Sequence, residues 1–207
     1  KDTIIASRNI CFEGDGYSEE WKQEATRRGL TNICHVPEAI MQFNSPQSRN
    51  VLLGEKIFNE NELTCRIEVE LEKYTKKVQI ESRILGDLAI NHIIPTAVIY
   101  QNRLLENLRG LRETFSTEEY EALGADRREL VKEIQQRILA IKQLVRNMIE
   151  ARKVANHLPS QIEKAFSYAD HVRPYLDEIR DHIDQMELEI DDEIWPLPKY
   201  RELLFNK

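Results

Sequence analysis

Glycine and proline are scarce in this chain, at 7 residues each among 207, and aromatic residues make up only 7% of it. A sheet-rich domain draws on turn formers, β-branched residues and aromatics for its hairpins and cross-strand pairs, so this scarcity argues against one. Cysteine is scarcer still, with 3 residues, Cys11, Cys34 and Cys65. Their odd number leaves no complete disulfide framework and their spacing matches no paired zinc-ligand pattern, which predicts reduced thiols in an intracellular, cytoplasmic protein. No run approaches the roughly 20 apolar residues that a membrane-spanning helix requires, and no secretory leader pattern is visible. Basic blocks are missing as well. With 36 acidic against 29 basic side chains the net charge is −7, so neither nucleic acid nor a membrane surface is an expected partner.

What the chain does hold is helix-forming charge, with 31% of its residues Asp, Glu, Lys or Arg. Its length suffices for one large domain or two small ones with most of the apolar surface buried. It begins KDTIIASRN, without a methionine, and reads as a piece of a longer protein. The first 59 residues are irregular. EGDGYSEEWKQEATRRGL predicts a turn and a short helix, with Ser18 as N-cap, Glu19 and Glu20 in the first turn, and Arg27 and Arg28 before Gly29. VPEAIMQF predicts a second short helix opened by Pro37, and NSPQSRN reads as a loop.

From Asn59 the texture changes. Asn59 and Glu62 form a capping-box pattern, and Ile67, Leu71, Tyr74, Val78, Leu85 and Leu88 then mark one helix face. Pro95 predicts a kink or break, after which Tyr100, Leu104, Leu108 and Leu111 resume the stripe. Ser116 and Glu119 offer another capping box, and Leu130, Ile134, Ile138, Ile141, Val145, Met148 and Ala155 follow in near-heptad spacing. Ser160 opens the last long segment, whose expected buried face is Ile162, Phe166, Ala169, Leu176, Ile179, Ile183, Met186 and Ile190, with a bend at Pro174. Short connections make neighbouring helices antiparallel. The expected fold is all-α: an elongated antiparallel bundle of about three long helices, preceded by short helices and loops. Three parts follow: an opening segment over 1–59, the long-helix bundle over 60–191, and a Trp/Pro-rich docking tail over 192–207.

Catalytic motifs are lacking. GDGYSE is neither a P-loop nor a dinucleotide fingerprint, and reads as a turn. A di-iron bundle needs Glu three residues before His, and none of His35, His92, His157, His171 or His182 has one. Glu178 and His182 lie one turn apart, a spacing more common on a solvated helix face than at a metal. No catalytic, cofactor-binding or metal-ligating residue is expected in this chain.

Three stretches resemble the C-terminal part of type III glutamine synthetases: EGDGYSEEWKQEATRRGL (13–30), VQIESRILGDLAINHIIPTAVIYQN (78–102) and DDEIWPLPKYRELLF (191–205). The last is the most specific, because bundle packing alone does not call for W-P-L-P-K-Y-R. The resemblance implies a parent enzyme that ligates ammonia to glutamate at the expense of ATP, with a divalent metal such as Mg. It also implies a cytoplasmic homo-oligomer whose catalytic residues lie in an upstream region. The fragment then has an assembly or support role, is inactive by itself, and docks through Trp195, Leu197, Tyr200, Leu203, Leu204 and Phe205. The alternative is a free-standing helical scaffold or coiled-coil interaction module.

Overall fold

Side-chain caps open several of the helices. The structure is a computed structural model that describes residues 2–7 and 11–204. Ser18 accepts from the Trp21 N–H and opens α2 (Glu19–Arg27), which follows the short α1 (Asp2–Ala6). Gly29 sits at φ +69°, and the Leu30 N–H reaches back to the Ala25 carbonyl at 2.9 Å. Only a residue free of a Cβ enters that left-handed position without penalty, so the glycine stops α2 there. Pro37 lies in the first turn of α3 (Val36–Met41).

The expected loop at Asn44–Asn50 is instead a helix start. Ser45 accepts from the Ser48 N–H, Pro46 takes the first helical position, and α4 runs Pro46–Gly54 after a 3₁₀ turn at Gln42–Asn44. Ser-Pro fits this role because the proline's missing donor falls where none is needed. α4 ends on Lys56 at φ 56°, with the Ile57 N–H on the Leu52 carbonyl at 2.9 Å. A side chain in that left-handed well costs about 1 kcal/mol. Lys56→Gly is expected to raise stability by about 0.5–1 kcal/mol, read as a higher midpoint in urea at unchanged m-value.

Asn59 and Glu62 close both halves of their capping box, and α5 runs Glu60–Leu88. At Pro95 the chain does not break. A π turn at Ala89–Ile93 leads directly into α6 (Ile94–Thr114), giving one continuous helical rod of 55 residues, about 80 Å long. The wide turn, in which the Ile94 N–H reaches the Ala89 carbonyl five residues back, accommodates at the next position a residue that cannot donate. Ser116 and Glu119 cap the short α7 (Thr117–Leu123), which leads into α8 (Ala125–Asn156). Ser160 and Glu163 cap α9 (Gln161–Ser167). A second π turn, Tyr168–Val172, joins it to α10 (Arg173–Glu189), for 29 helical residues in all. Here too a proline, Pro174, follows the wide turn.

Hydrogen bonds between helices fix the directions. Gln79 reaches Asn156 and Gln101 reaches the Val131 carbonyl, so α8 runs antiparallel to the α5–α6 rod. Tyr168 donates to Asn156 at 2.8 Å, and Arg137 pairs with Glu189, so α10 is antiparallel to α8. Gln161 donates to the Thr75 hydroxyl at 3.1 Å and Gln79 to the Tyr168 hydroxyl, which sets the last rod parallel to α5. The long elements form a three-rod bundle, and no strand occurs among the described residues.

The main core runs between the rods through Val78, Ala89, Ile93, Ala97, Ile134, Ile138, Ile141, Val145, Met148, Tyr168, Val172, Ile179, Ile183 and Met186. A smaller cluster of Leu63, Ile67, Leu71 and Ala165 lies against α3 and α4. One expected core position is displaced: Ile162 is exposed, and Ala165, Tyr168 and Val172 are buried instead. The π turn inserts a residue into the helical period, so counting back from Ile179 by threes and fours lands on the wrong face.

Near the start of the chain, Arg27 and then Arg28 donate to the Glu24 carboxylate and hold its pKa at about 2. A carboxylate depressed in the fold contributes stability above its ordinary pKa near 4.5 and loses it as pH falls toward 2. An NMR titration is expected to place the Glu24 midpoint near 2, and Arg28→Gln to move it upward.

Candidate docking tail

α10 ends where Ile190 turns extended, with its own side chain buried in the main core. The next residues fold back as a tight turn. The Glu193 N–H donates to the Asp191 carboxylate at 3.0 Å, and the Ile194 and Trp195 N–H groups both reach the Asp191 carbonyl at 3.1 Å. A carboxylate that accepts from the N–H two residues on is a local substitute for a backbone turn. The other Asp191 oxygen accepts from Arg103 on α6 at 3.1 Å, which ties the turn to a different rod.

Trp195 is thereby inserted into the main core and is 7% exposed. Ile194 and Leu197 pack beside it, half-buried. Pro196 and Pro198 face solvent, where their missing N–H groups cost nothing. Lys199 then returns to the end of α10. Its ammonium donates to the Glu187 carbonyl at 2.6 Å and the Ile190 carbonyl at 3.2 Å, and it pairs with Asp192. It also lies 5.9 Å from the centre of the Trp195 ring. A cation at these last carbonyls meets both their unpaired lone pairs and the negative end of the helix dipole.

Beyond Lys199 the picture reverses. In α11 (Tyr200–Leu204), Leu203 is 67% and Leu204 60% exposed. Leu188, on the α10 turn whose carbonyl Lys199 holds, is 80% exposed. Phe205 lies outside the described residues, as does the side chain of Tyr200. The six residues read from the sequence as one docking strap therefore divide. Trp195 and Leu197 pack on their own chain, while Leu203 and Leu204 present apolar surface outward. The ties at Asp191, Arg103 and Lys199 were not singled out in the sequence, although a lysine shortly after a helix end is a signal for such a cap. Among the described residues no group of three or more His, Cys, Asp or Glu could hold a metal, and no helix is long and apolar enough to cross a membrane.

The family model described as the glutamine synthetase C-terminal domain matches residues 1–112, more than half of the chain. The chain belongs to that family. Residues 1–112 take this glutamine synthetase domain from α1 to the last turn of α6. Alignment with individual glutamine synthetases continues through the bundle to the tail. A protein of Bacteroides fragilis (strain YCH46) named glutamine synthetase is 73% identical over 207 residues, all of this chain and 28% of its own length. A type-3 glutamine synthetase of Dictyostelium discoideum is 28% identical over 219 residues, covering 99% of this chain and 28% of itself. A glutamine synthetase of Butyrivibrio fibrisolvens is 26% identical, again with all of this chain and 29% of its own length. The chain thus spans little more than a quarter of the relatives it matches. The likeness to type III enzymes read from the sequence is met by these matches.

Proposed function

We propose that this chain is the helical C-terminal portion of a glutamine synthetase, an ATP-dependent ligase of ammonia and glutamate, and that its own task is to assemble and support catalytic subunits. The observation that carries this reading is the 73% identity with a glutamine synthetase across all 207 residues, at 28% of that protein's length. The described residues offer no cluster fit to hold a divalent metal. ATP, Mg, glutamate and ammonia are assigned to an upstream catalytic region of the same polypeptide, because most of that relative's length lies outside the match. The division into an opening segment (1–59), a bundle (60–191) and a tail (192–207) serves that role. The tail's inner half anchors it, and Leu203 and Leu204 meet a neighbouring subunit of a cytoplasmic homo-oligomer.

The test uses the full-length protein. It is expected to form glutamine from glutamate, ammonia and Mg-ATP, whereas the 207-residue chain alone gives no saturable heat with Mg-ATP in calorimetry. Replacing both Leu203 and Leu204 with serine is expected to lower the mass by light scattering without changing the melt of the isolated chain. A full-length protein with no ligase activity overturns the enzyme reading; unchanged mass overturns the role of the outer tail.

A further inference from the structure

The core between α8 and the last rod is repetitive. Ile134, Ile138, Ile141 and Val145 on α8 meet Ile179, Ile183, Met186 and Ile190, all buried, apolar and of similar bulk. Such stripes bury much the same area when one rod slides past the other by a turn, about 5.4 Å. Apolar periodicity alone leaves the register open, and a polar residue at a single level is a known means of choosing it. The charged contacts between rods are too adaptable to do so. Arg137 and Glu189 meet through one contact at 3.4 Å, and Arg103, half-exposed, reaches Asp191 at 3.1 Å. Long arginine side chains follow a slide by changing rotamer, and pairs near the surface contribute little.

One level of the bundle differs. Tyr168, on the last rod, is fully buried. Its hydroxyl donates to Asn156 of α8 at 2.8 Å and accepts from Gln79 of α5 at 3.2 Å. Gln79 also reaches Asn156 at 3.4 Å, so one residue from each of the three rods meets at a single point. A turn away on α5, the buried Thr75 hydroxyl accepts from Gln161 at 3.1 Å and donates to the Leu71 carbonyl at 2.9 Å. A hydroxyl on a fully buried side chain has lost its water and needs partners already in place. A slide by one turn keeps the Tyr168 ring in apolar surroundings but carries its hydroxyl away from Asn156 and Gln79. The apolar stripes tolerate that move; the hydroxyl does not. Tyr168 is also the first residue of its π turn, so the same bonds hold the extra residue where it is.

We propose that the hydrogen-bond set Gln79–Tyr168–Asn156 fixes the register of the last rod and, through it, the position of the tail. From Tyr168 to Asp191 the rod is about 35 Å long, and the turn that seats Trp195 begins at its far end. The three side chains are positioning residues. They choose one packing among several of similar burial, with little gain in stability.

The test replaces all three partners with apolar groups in the full-length protein, so that none is stranded: Gln79→Met, Asn156→Leu and Tyr168→Phe. Unnatural amino acids carrying spin labels at the exposed Glu68 and Glu178 report the slide of the last rod along α5, with unlabelled copies added to suppress contacts between chains. The unaltered protein is expected to give one narrow distance. The triple variant is expected to keep its helix content by circular dichroism and to add a second distance, displaced by about 5 Å, in at least about a tenth of the molecules. Arg103→Gln combined with Arg137→Gln is expected to keep the single distance. An unchanged single distance in the triple variant overturns the proposal. Loss of its helix content does so too, because the three residues then serve stability alone, and so does a second distance in the arginine variant.

Discussion

Ile138→Asp is expected to destabilise the chain by about 3 kcal/mol or more, seen as a fall in melting temperature on the order of 10 °C. Ile138 is 2% exposed and sits in the main core with Ile134, Ile141 and Val145 on the inward stripe of α8. A carboxylate there loses its hydration and gains no charged partner, so it stays ionised at high cost or protonates. The neighbouring position supplies the control. Leu139 is 59% exposed, and Leu139→Asp should change stability by no more than about 0.5 kcal/mol. Equal shifts for the two variants would mean that α8 is rotated from the packing described.

Trp195→Ala is the second large effect, with an expected loss of about 3–5 kcal/mol. The indole fills the main core from a segment that is not helical, so its removal leaves a cavity which the turn at Asp191 holds open. Lys199 loses its ring contact and keeps its carbonyls, so Lys199→Met isolates the electrostatic part of the anchor. That change leaves the Glu187 and Ile190 carbonyls without their donor and should cost about 1–2 kcal/mol. Chemical denaturation of the isolated chain measures both. Additive losses in the double variant would show that the ring and the ammonium act separately; a shortfall measures their coupling.

The caps and the stripe of α8 were legible because each depends on residues within a few positions of one another. Ser18, Asn59 with Glu62, Ser116 with Glu119, and Ser160 all stand where the sequence places them. Every residue expected on the inward face of α8 is buried or half-buried. Features that depend on a third partner were not legible. α4 was hidden because Ser45-Pro46 serves turns and helix starts alike, and the hydrophobic cluster that selects the helix comes from α5. Lys56 gives no signal, since lysine is not a residue of left-handed turns. Of the tail, the presence of apolar anchors was readable from Trp195 and Leu197, but not which of them face inward. That choice follows from Lys199 reaching the end of α10, a contact set by chain reversal rather than by periodicity.

The two wide turns carry a consequence for how this protein tolerates changes in length. A π turn is an α-helix that has absorbed one extra residue without opening a loop. The rods can therefore lose a single residue at Ala89–Ile93 or Tyr168–Val172, returning to plain α-helix, while the flanking turns keep their partners. Elsewhere in a helix a one-residue deletion rotates everything beyond it by about 100°, carrying a core stripe into water. In a comparison of many relatives, one-residue gaps inside these rods should collect at those two places, ahead of Pro95 and Pro174, and be missing from the body of α8, which has no such joint to take up the slack.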